Sequence, residues 1–247
     1  MMNVELDPRI IAIRESLKDI ENTIVVMSSK GGVGKTLIST LIALSLSLKG
    51  SSVGLLDLDI TNPSCHLVLG IDISSIKPIE EKGIIPPIIH GIKFLSIAFY
   101  SEDKPLPLRG SEIDYAIKEL LAITRWGKTS YLIVDSPPGI SDETLDILSY
   151  LIDPRIILVT TPSLLSIKSI ERMIVFLKDS GEKIIGLIEN MANKPTNPIN
   201  KICRDYNIQY LGNIPFDKYI DNCIGDINCI KTTLFYRSIE GIMNKIT

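Results

Sequence analysis

The residues that could do chemistry begin with a glycine-rich segment that holds two lysines and a threonine. Residues 28–36 read Ser-Ser-Lys-Gly-Gly-Val-Gly-Lys-Thr, after an apolar run at 24–27 and before a helical pattern at 37–48. A strand, a glycine-rich loop and a helix in this order are typical of a phosphate-binding loop, or P-loop. Glycine lets several backbone N–H groups face one phosphate, and the helix dipole points its positive end there. The segment therefore predicts a site for nucleotide phosphates rather than a simple turn.

The side chains of this loop have separate predicted roles. Lys35 would reach the β- and γ-phosphates, and the Thr36 hydroxyl would ligate Mg²⁺. Ser29 stands where the standard pattern has glycine, and Lys30 directly precedes the glycine pair. The predicted nucleotide contacts in the loop are Ser29, Lys30, Gly31, Gly32, Val33, Gly34, Lys35 and Thr36.

Three aspartates follow apolar runs that read as buried strands. Asp57 and Asp59 lie at the end of a predicted strand over 53–59, and Asp135 ends the run at 131–134. Open α/β sheets bind their ligands at the carboxyl ends of the strands, so these acids are expected beside the P-loop. Asp135 is predicted to hold Mg²⁺ together with Thr36. Asp57 and Asp59, beside a P-loop, can hold the waters of that Mg²⁺ and orient the attacking water. Capping of the next helix is the alternative role for Asp57 and Asp59.

The elements that must position these residues alternate between strand and helix along the chain. Apolar periodicity predicts helices over 8–21, 37–48, 114–123, 142–151, 163–179, 198–206 and 232–246, and further strands over 92–97, 155–160, 183–189 and 210–214. This alternation predicts a doubly wound, mostly parallel sheet flanked by helices. We expect one domain over 1–247, with an N-terminal helix within 1–22 and a hairpin-like excursion over 71–101.

Composition narrows the class of protein. The chain has 247 residues, of which 45% are hydrophobic and 22% are charged, and its formal net charge is −3. That charge gives no support to nucleic-acid binding, and no run of eighteen apolar residues predicts a membrane span. The first residues lack the pattern of a signal peptide, so a cytoplasmic location is expected, with neither membrane nor nucleic acid as a partner. The four scattered cysteines are expected to be reduced core residues.

The string Lys-Gly-Gly-Val-Gly-Lys-Thr resembles the deviant P-loop of the MinD/ParA/Mrp group of ATPases. The resemblance implies an Mg²⁺-dependent ATPase that forms a homodimer with nucleotide at the interface. It further implies that Lys30 crosses this interface to the partner's phosphates, that Asp59 activates water and that Asp57 is a supporting acid near the metal. The implied catalytic residues are Lys30, Lys35 and Asp59.

The resemblance extends to the nucleotide's other end. The Ser-Pro-Pro-Gly segment ending at Gly139 is similar to a switch whose N–H moves onto the γ-phosphate. Asn190 lies in a Glu-Asn-Met segment whose amide would contact adenine, with an ordinary strand-end turn as the alternative. Pro215, Phe216 and Asp217 resemble a loop that closes over the base. Asn193-Lys194 lacks the acid of a guanine-binding motif, so ATP is implied rather than GTP.

Several further segments are similar to the Mrp-type branch, whose members carry or scaffold iron–sulfur clusters. They are Pro63-Ser64, Leu69-Gly70, Gly83-Ile84-Ile85-Pro86, Arg109-Gly110, Trp126-Gly127 and Asp142-Glu143. The likeness implies a client or apo-protein of a metallocluster pathway as a partner.

The chain departs from this branch in its cysteines. The usual Cys-x-x-Cys after the Glu-Asn-Met segment is absent, and residues 192–198 contain no cysteine. Because thiolates hold such clusters, the sequence argues against a bound iron–sulfur cluster. Cys203, Cys223 and Cys229 stand further on as possible surrogate ligands. A MinD- or ParA-like positioning ATPase and a slowly hydrolysing regulatory module remain as alternative functions.

Overall fold

The structure, a computed structural model, describes residues 7–101, 110–140 and 142–246. Its strands are β1 (Thr23–Ser28), β2 (Val53–Asp57), β3 (Ile79–Glu80), β4 (Ile84–Ile85), β5 (Ile88–Ile89), β6 (Ile92–Ser96), β7 (Tyr131–Asp135), β8 (Arg155–Thr160), β9 (Lys183–Asn190) and β10 (Tyr210–Ile214). Its helices are α1 (Pro8–Leu17), α2 (Lys35–Leu48), α3 (Cys65–Leu69), α4 (Ala98–Ser101), α5 (Ser111–Ile123), α6 (Asp142–Tyr150), α7 (Leu164–Asp179), α8 (Asn197–Asp205), α9 (Ile220–Cys223), α10 (Ile227–Ile230) and α11 (Leu234–Met243). Arg109, residues 1–6 and the side chain of Asp142 lie outside the described part.

Eight strands form one sheet in the order β10-β9-β8-β1-β7-β2-β6-β5. Every pairing in it is parallel except that of β5 with β6. The central strands are wholly buried because helices cover both faces, which explains their unbroken apolar runs. The prediction of a mostly parallel sheet flanked by helices is confirmed.

The excursion over 71–101 consists of two small antiparallel pairs. Strands β3 and β4 form a two-stranded ribbon, and β5 folds back on β6 at the edge of the main sheet. The second pair extends the sheet by one strand.

Several predicted element ends differ from the structure, among them the ends of α1 and β2. Helix α1 ends at Leu17 rather than Glu21, because Ile20 is already extended and bridges to Thr129. Strand β2 ends at Asp57 rather than Asp59. There the Leu58 amide donates to the Asp135 carbonyl, which leads the chain out of line with β2. Asp59 therefore lies on a loop, free of the strand's alternation.

Candidate functional site

The glycine-rich loop joins the carboxyl end of β1 to the first turn of α2. Gly32 and Gly34 have φ values of +77° and +88°, a region that favours glycine, and Gly34 is the N-cap of α2. Lys35 is the first residue of the helix. The loop borders a cavity of about 320 Å³ at the carboxyl edge of the sheet. Its backbone and the helix terminus thus face the place where an anion would sit.

Lys35 and Asp135 form a buried ion pair at the floor of this cavity. The Lys35 Nζ lies 2.8 Å from Asp135 Oδ2, with 6% and 0% of the two side chains exposed. The Thr36 hydroxyl donates to the same oxygen at 2.7 Å, and the Ser39 hydroxyl donates to Oδ1 at 2.8 Å. Three residues inferred from sequence are therefore in contact. They are the P-loop lysine, the hydroxyl predicted to bind metal and the acid at the end of β7. Ser39 is a contact that sequence reasoning missed.

Oxygen ligands suit Mg²⁺, and the Thr36 hydroxyl and the Asp135 carboxylate supply two within one hydrogen-bond length. Asp57 Cα pairs in register with Asp135 on the neighbouring strand, so a third carboxylate group is close by. The donor set thus fits a magnesium ion held next to phosphate oxygens.

The carboxylate of Asp57 is hydrogen-bonded to backbone groups of the protein itself. This carboxylate is fully buried and accepts the backbone N–H groups of Asp59, Ser64 and Cys65 at 3.1–3.2 Å. Burial, followed by the nearby charge of Asp135, raises the pKa of Asp57 to about 7. Asp57 therefore anchors the loop that carries Asp59 and caps the start of α3, and its direct role at a metal stays a prediction.

Asp59 lies in the wall of the P-loop cavity and is 7% exposed. Its Oδ1 accepts the Thr61 hydroxyl at 3.1 Å and the Asn62 amide at 3.2 Å. Burial raises the pKa of this carboxyl, and the charge of Lys35 opposes that rise. A carboxylate held in this way can accept a proton from water at the phosphate site. Thr61 and Asn62 are positioning residues that sequence reasoning missed.

Lys30 lines the same cavity as Asp59 and is half-buried. Its backbone is fixed, because the Ser28 hydroxyl donates to the Lys30 carbonyl at 2.9 Å. Among the described residues, no carboxylate lies within ion-pair distance of its ammonium group, in contrast to Lys35. A second cation is thus held at the mouth of the site, and its function in trans stays a prediction.

Gly139 follows β7 and faces the P-loop strand. Its N–H donates to the Ser28 carbonyl at 2.8 Å, and its φ of +93° is in the glycine region. Movement of this N–H onto a γ-phosphate would have to break that bond. In this conformation the N–H of the predicted switch is therefore hydrogen-bonded to the Ser28 carbonyl.

The family comparison covers most of the chain. Residues 19–246 match the model of the ParA family described as NUBPL iron-transfer P-loop NTPase. The chain belongs to this family. The sequence-based assignment to the Mrp-type P-loop group and to nucleoside triphosphatases is thereby confirmed.

Relatives of this chain include a "Cytosolic Fe-S cluster assembly factor CFD1" of Kluyveromyces lactis, which is 36% identical over 85% of this chain and 82% of its own. An "Iron-sulfur cluster carrier protein" of Methanocaldococcus jannaschii is 35% identical over 83% of this chain and 76% of its own. A nucleotide-binding protein from Archaeoglobus fulgidus, solved in complex with ADP, superposes with a TM-score of 0.75 at 28% identity, over 90% of this chain and 92% of its own. The cell division ATPase MinD of Pyrococcus furiosus superposes at 0.66 and 18% identity over 92% and 99% of the chains, a likeness of fold.

Not all of the residues predicted to contact the base lie beside the P-loop cavity. Asn190 touches the loop: its Nδ2 donates to the Val33 carbonyl at 2.8 Å, and its Oδ1 accepts the Met191 amide. Pro215, Phe216 and Asp217 follow β10, and none of them lines the cavity. Phe216 is 67% exposed, so its ring is available to cover a ligand. The adenine contacts of all four residues stay predictions.

Glu189, which sequence reasoning did not select, organises the segment where the family's cysteines would stand. Its fully buried carboxylate accepts the Thr196 amide and hydroxyl and the Tyr210 hydroxyl. The segment after Met191 is thus tied back onto β9. The signal available in the sequence was the acid inside the Glu-Asn-Met string, directly before Asn190.

The expectation of reduced cysteines is correct for Cys65 and Cys203 and wrong for the other two. Cys223 and Cys229 form a disulfide, because the turn between α9 and α10 brings them together. Cys65 lies within 4.8 Å of the carboxylate oxygens of Asp57 and Asp135, and burial raises the pKa of its thiol well above the usual value. Burial also raises the pKa of Cys203, to about 11. Neither free thiol is poised as a thiolate.

Within the described ranges, no helix combines the length and the apolar character needed to cross a membrane.

Gly34→Ala is expected to lower the free energy of unfolding by about 1–3 kcal/mol. A Cβ at Gly34 would lie 2.3 Å from Asn190 Nδ2, and the φ of +88° is strained for alanine. Gly31→Ala is the matched control, since a Cβ there meets nothing within 4 Å, and its expected effect is below about 0.5 kcal/mol. Urea denaturation measures both values, and equal losses in the two variants would contradict the packing of Asn190 on the loop.

Proposed function

We propose that this protein is an Mg²⁺-dependent ATPase switch that acts in iron–sulfur cluster assembly. The observation that carries the proposal is that Lys35 and Thr36 of the P-loop both contact the Asp135 carboxylate, by an ion pair and a hydrogen bond. In that role Lys35 leaves its ion pair to neutralise the β- and γ-phosphates, and Thr36 and Asp135 hold Mg²⁺. A bound Mg²⁺ would screen phosphate charge during phosphoryl transfer. The names of the relatives support the pathway.

The chemical step follows from the placement of the remaining side chains. Asp59 orients a water and accepts its proton, aided by the bonds from Thr61 and Asn62. Lys30 supplies positive charge to the transferring phosphoryl group of the partner subunit, in the manner of an arginine finger. The Gly139 N–H leaves the Ser28 carbonyl when a γ-phosphate is present, so the segment after β7 reports the nucleotide state. A homodimer with nucleotide at its interface is the assembly that this division of labour needs.

Lys30→Ala is expected to reduce ATP turnover about 10³-fold and to abolish ATP-dependent dimerisation, with ATP binding retained. The reason is that the lost charge acts on the phosphates of the other subunit. Phosphate release and size-exclusion chromatography with light scattering measure the two effects. Lys18→Ala, at an exposed lysine ahead of β1, is the control.

Mixing two inactive variants tests the action in trans directly. In a heterodimer of Lys30→Ala with Asp59→Asn, one site has both an intact Asp59 and the partner's Lys30. Each heterodimer has one complete site out of two, so the mixture should regain turnover at about half of the wild-type rate per heterodimer. No recovery, despite proven subunit exchange, would refute the role of Lys30 in trans.

The role in the cluster pathway concerns docking of a client rather than cluster storage on Cys-x-x-Cys. Anaerobic incubation with iron and sulfide, read by absorbance, tests this for the wild type against a variant with all four cysteines replaced by alanine. The proposal expects no cluster absorbance that depends on these cysteines. A cluster in the wild type alone would assign this protein as a carrier.

A positioning function at a membrane has less support from the structure. The apolar side chains of α11 are turned inward against α2 and β10, where Phe235, Ile239 and Met243 are buried. A membrane-surface helix would present such a face outward. Co-sedimentation with liposomes and with DNA in the presence of ATP tests this alternative. We propose a location in the cytoplasm.

A further inference from the structure

The Cys223–Cys229 disulfide borders an open cavity, unlike the two buried free cysteines. Cys223 ends α9 and is buried, whereas Cys229 in α10 is half-buried. Both line a cavity of about 510 Å³, with Asp217 and Leu234 among its other walls. Cys229 is thus the more exposed of the two cysteines that face this cavity.

The disulfide lies inside a segment that Asp217 closes at both ends. The Asp217 Oδ1 accepts the Tyr219 amide just before α9. Its Oδ2 accepts the Leu234 and Phe235 amides at the start of α11, at 3.1 and 3.3 Å. Asp217 directly follows the exposed Phe216. Any change in the geometry between α9 and α10 is thus linked to the loop after β10.

The turn between the cysteines also rests on the helix that Asp57 caps. The Gly225 amide donates to the Val68 carbonyl at 3.3 Å, near the end of α3. A Cβ at Gly70 would lie only 2.1 Å from the Gly225 carbonyl oxygen, so the two backbones are in close contact. The first residue of α3, Cys65, donates its amide to Asp57 in the P-loop site. The segment therefore has a second packed path to the nucleotide.

We propose that Cys223 and Cys229 form a reversible thiol–disulfide site, oxidised by a low-molecular-weight disulfide, whose oxidised form binds ATP more tightly than the dithiol form. The inference rests on the proposed function, because it takes Pro215, Phe216 and Asp217 to cover the bound nucleotide. It adds regulation of that site by the thiol–disulfide poise of the surroundings.

The oxidation balances as two successive exchange steps. The Cys229 thiolate attacks one sulfur of the small disulfide, whose S–S bond breaks as the mixed disulfide forms and the first small thiol leaves. The Cys223 thiolate then attacks Cys229 Sγ, and the second small thiol leaves. Two cysteine thiols are oxidised, one small disulfide is reduced to two thiols, and the protons lost by the cysteines go to the leaving thiolates. Excess small thiol reverses both steps.

Tighter binding in the oxidised form follows from conformational entropy. A bond between residues six apart restricts the segment from α9 to α10 before nucleotide arrives. Closing an already restricted loop over the base then costs less order than closing the dithiol form. Coupling between two sites in one protein is typically about 5- to 150-fold, and we expect a value of about fivefold here.

The test uses the full chain equilibrated over a series of reduced-to-oxidised glutathione ratios. Alkylation and intact mass count the free thiols, and titration with a non-hydrolysable ATP analogue and Mg²⁺ gives Kd for each form. We expect four thiols under reducing conditions, two under oxidising conditions, and a Kd about fivefold lower in the second case. Cys223→Ser and Cys229→Ser should each hold Kd at the reduced value in both conditions. Cys203→Ser, away from the pair, should still show the shift.

Three outcomes would overturn the inference. A disulfide that no thiol ratio opens is a permanent structural bond, and a pair that never oxidises is no redox site. An equal Kd in the two wild-type forms removes the coupling. Failure of the proposed function looks different, because neither form would then bind the analogue although the thiol count still changes. If one serine variant misfolds, the other and the wild-type comparison still decide.

Discussion

Lys35→Ala is expected to abolish ATP binding and to lower the free energy of unfolding by about 3–5 kcal/mol. Both effects come from one buried ammonium group, which lies 2.8 Å from Asp135 Oδ2. Its removal leaves the Asp135 charge in the interior, where its remaining side-chain partners among the described residues are the hydroxyls of Thr36 and Ser39, and where Asp57 lies on the neighbouring strand. Phosphate binding loses its principal cation. Calorimetric titration with the ATP analogue and urea denaturation measure the two losses separately.

A double variant separates the ion pair from the ligand contact. Lys35→Met with Asp135→Asn removes both charges, so the free energy of unfolding should recover most of the loss while ATP binding stays absent. Binding of ATP by Lys35→Ala at wild-type affinity would refute the P-loop assignment. An unchanged free energy of unfolding would refute the burial cost that we assign to Asp135.

Asp59→Asn is expected to reduce ATP turnover about 10²- to 10⁴-fold and to accumulate the ATP-bound dimer. The amide matches the carboxylate in shape and can still accept the Thr61 and Asn62 bonds at Oδ1. It cannot take a proton from the attacking water. Single-turnover kinetics and light scattering with ATP measure the two results, and the Kd for the ATP analogue should change little.

Asp72→Asn provides the matched control, because it makes the same chemical change at an exposed carboxylate on the loop after α3. Its turnover should equal that of the wild type. Normal turnover in Asp59→Asn would instead assign water activation to another group, and a weaker Kd with normal kcat would make Asp59 a binding residue only.

The sheet and the phosphate half of the site were predictable because their signals are local. Buried parallel strands need unbroken apolar runs, and a P-loop needs its glycines, lysine and threonine in consecutive positions. Asp135 could be paired with Lys35 across 99 intervening positions because each ends or follows a strand at the same sheet edge. The element ends were less predictable. At the end of β2, for example, the Leu58 amide donates to the Asp135 carbonyl and the Asp59 amide donates to the Asp57 carboxylate.

Other features depended on which loops meet in space. Nothing in the spacing of Cys223 and Cys229 distinguishes a disulfide from two core thiols, because the bond depends on the conformation of the turn between α9 and α10. The contact of Asn190 with the P-loop likewise depends on the close approach of Gly34, at the start of α2, to the end of β9.

The amino-acid sequence alone was sufficient to identify the family and to predict a phosphate site with its catalytic candidates, because these reside in contiguous motifs whose chemistry is local. The folded chain was needed to show that Lys30 lacks a carboxylate partner among the described residues, whereas Lys35 has one. It was also needed to show that Cys223 and Cys229 form a disulfide and that the Asp57 carboxylate accepts hydrogen bonds from the loop that follows it. A side chain's partner is set by the long-range packing of loops at the sheet edge, and no local pattern of residues records that packing.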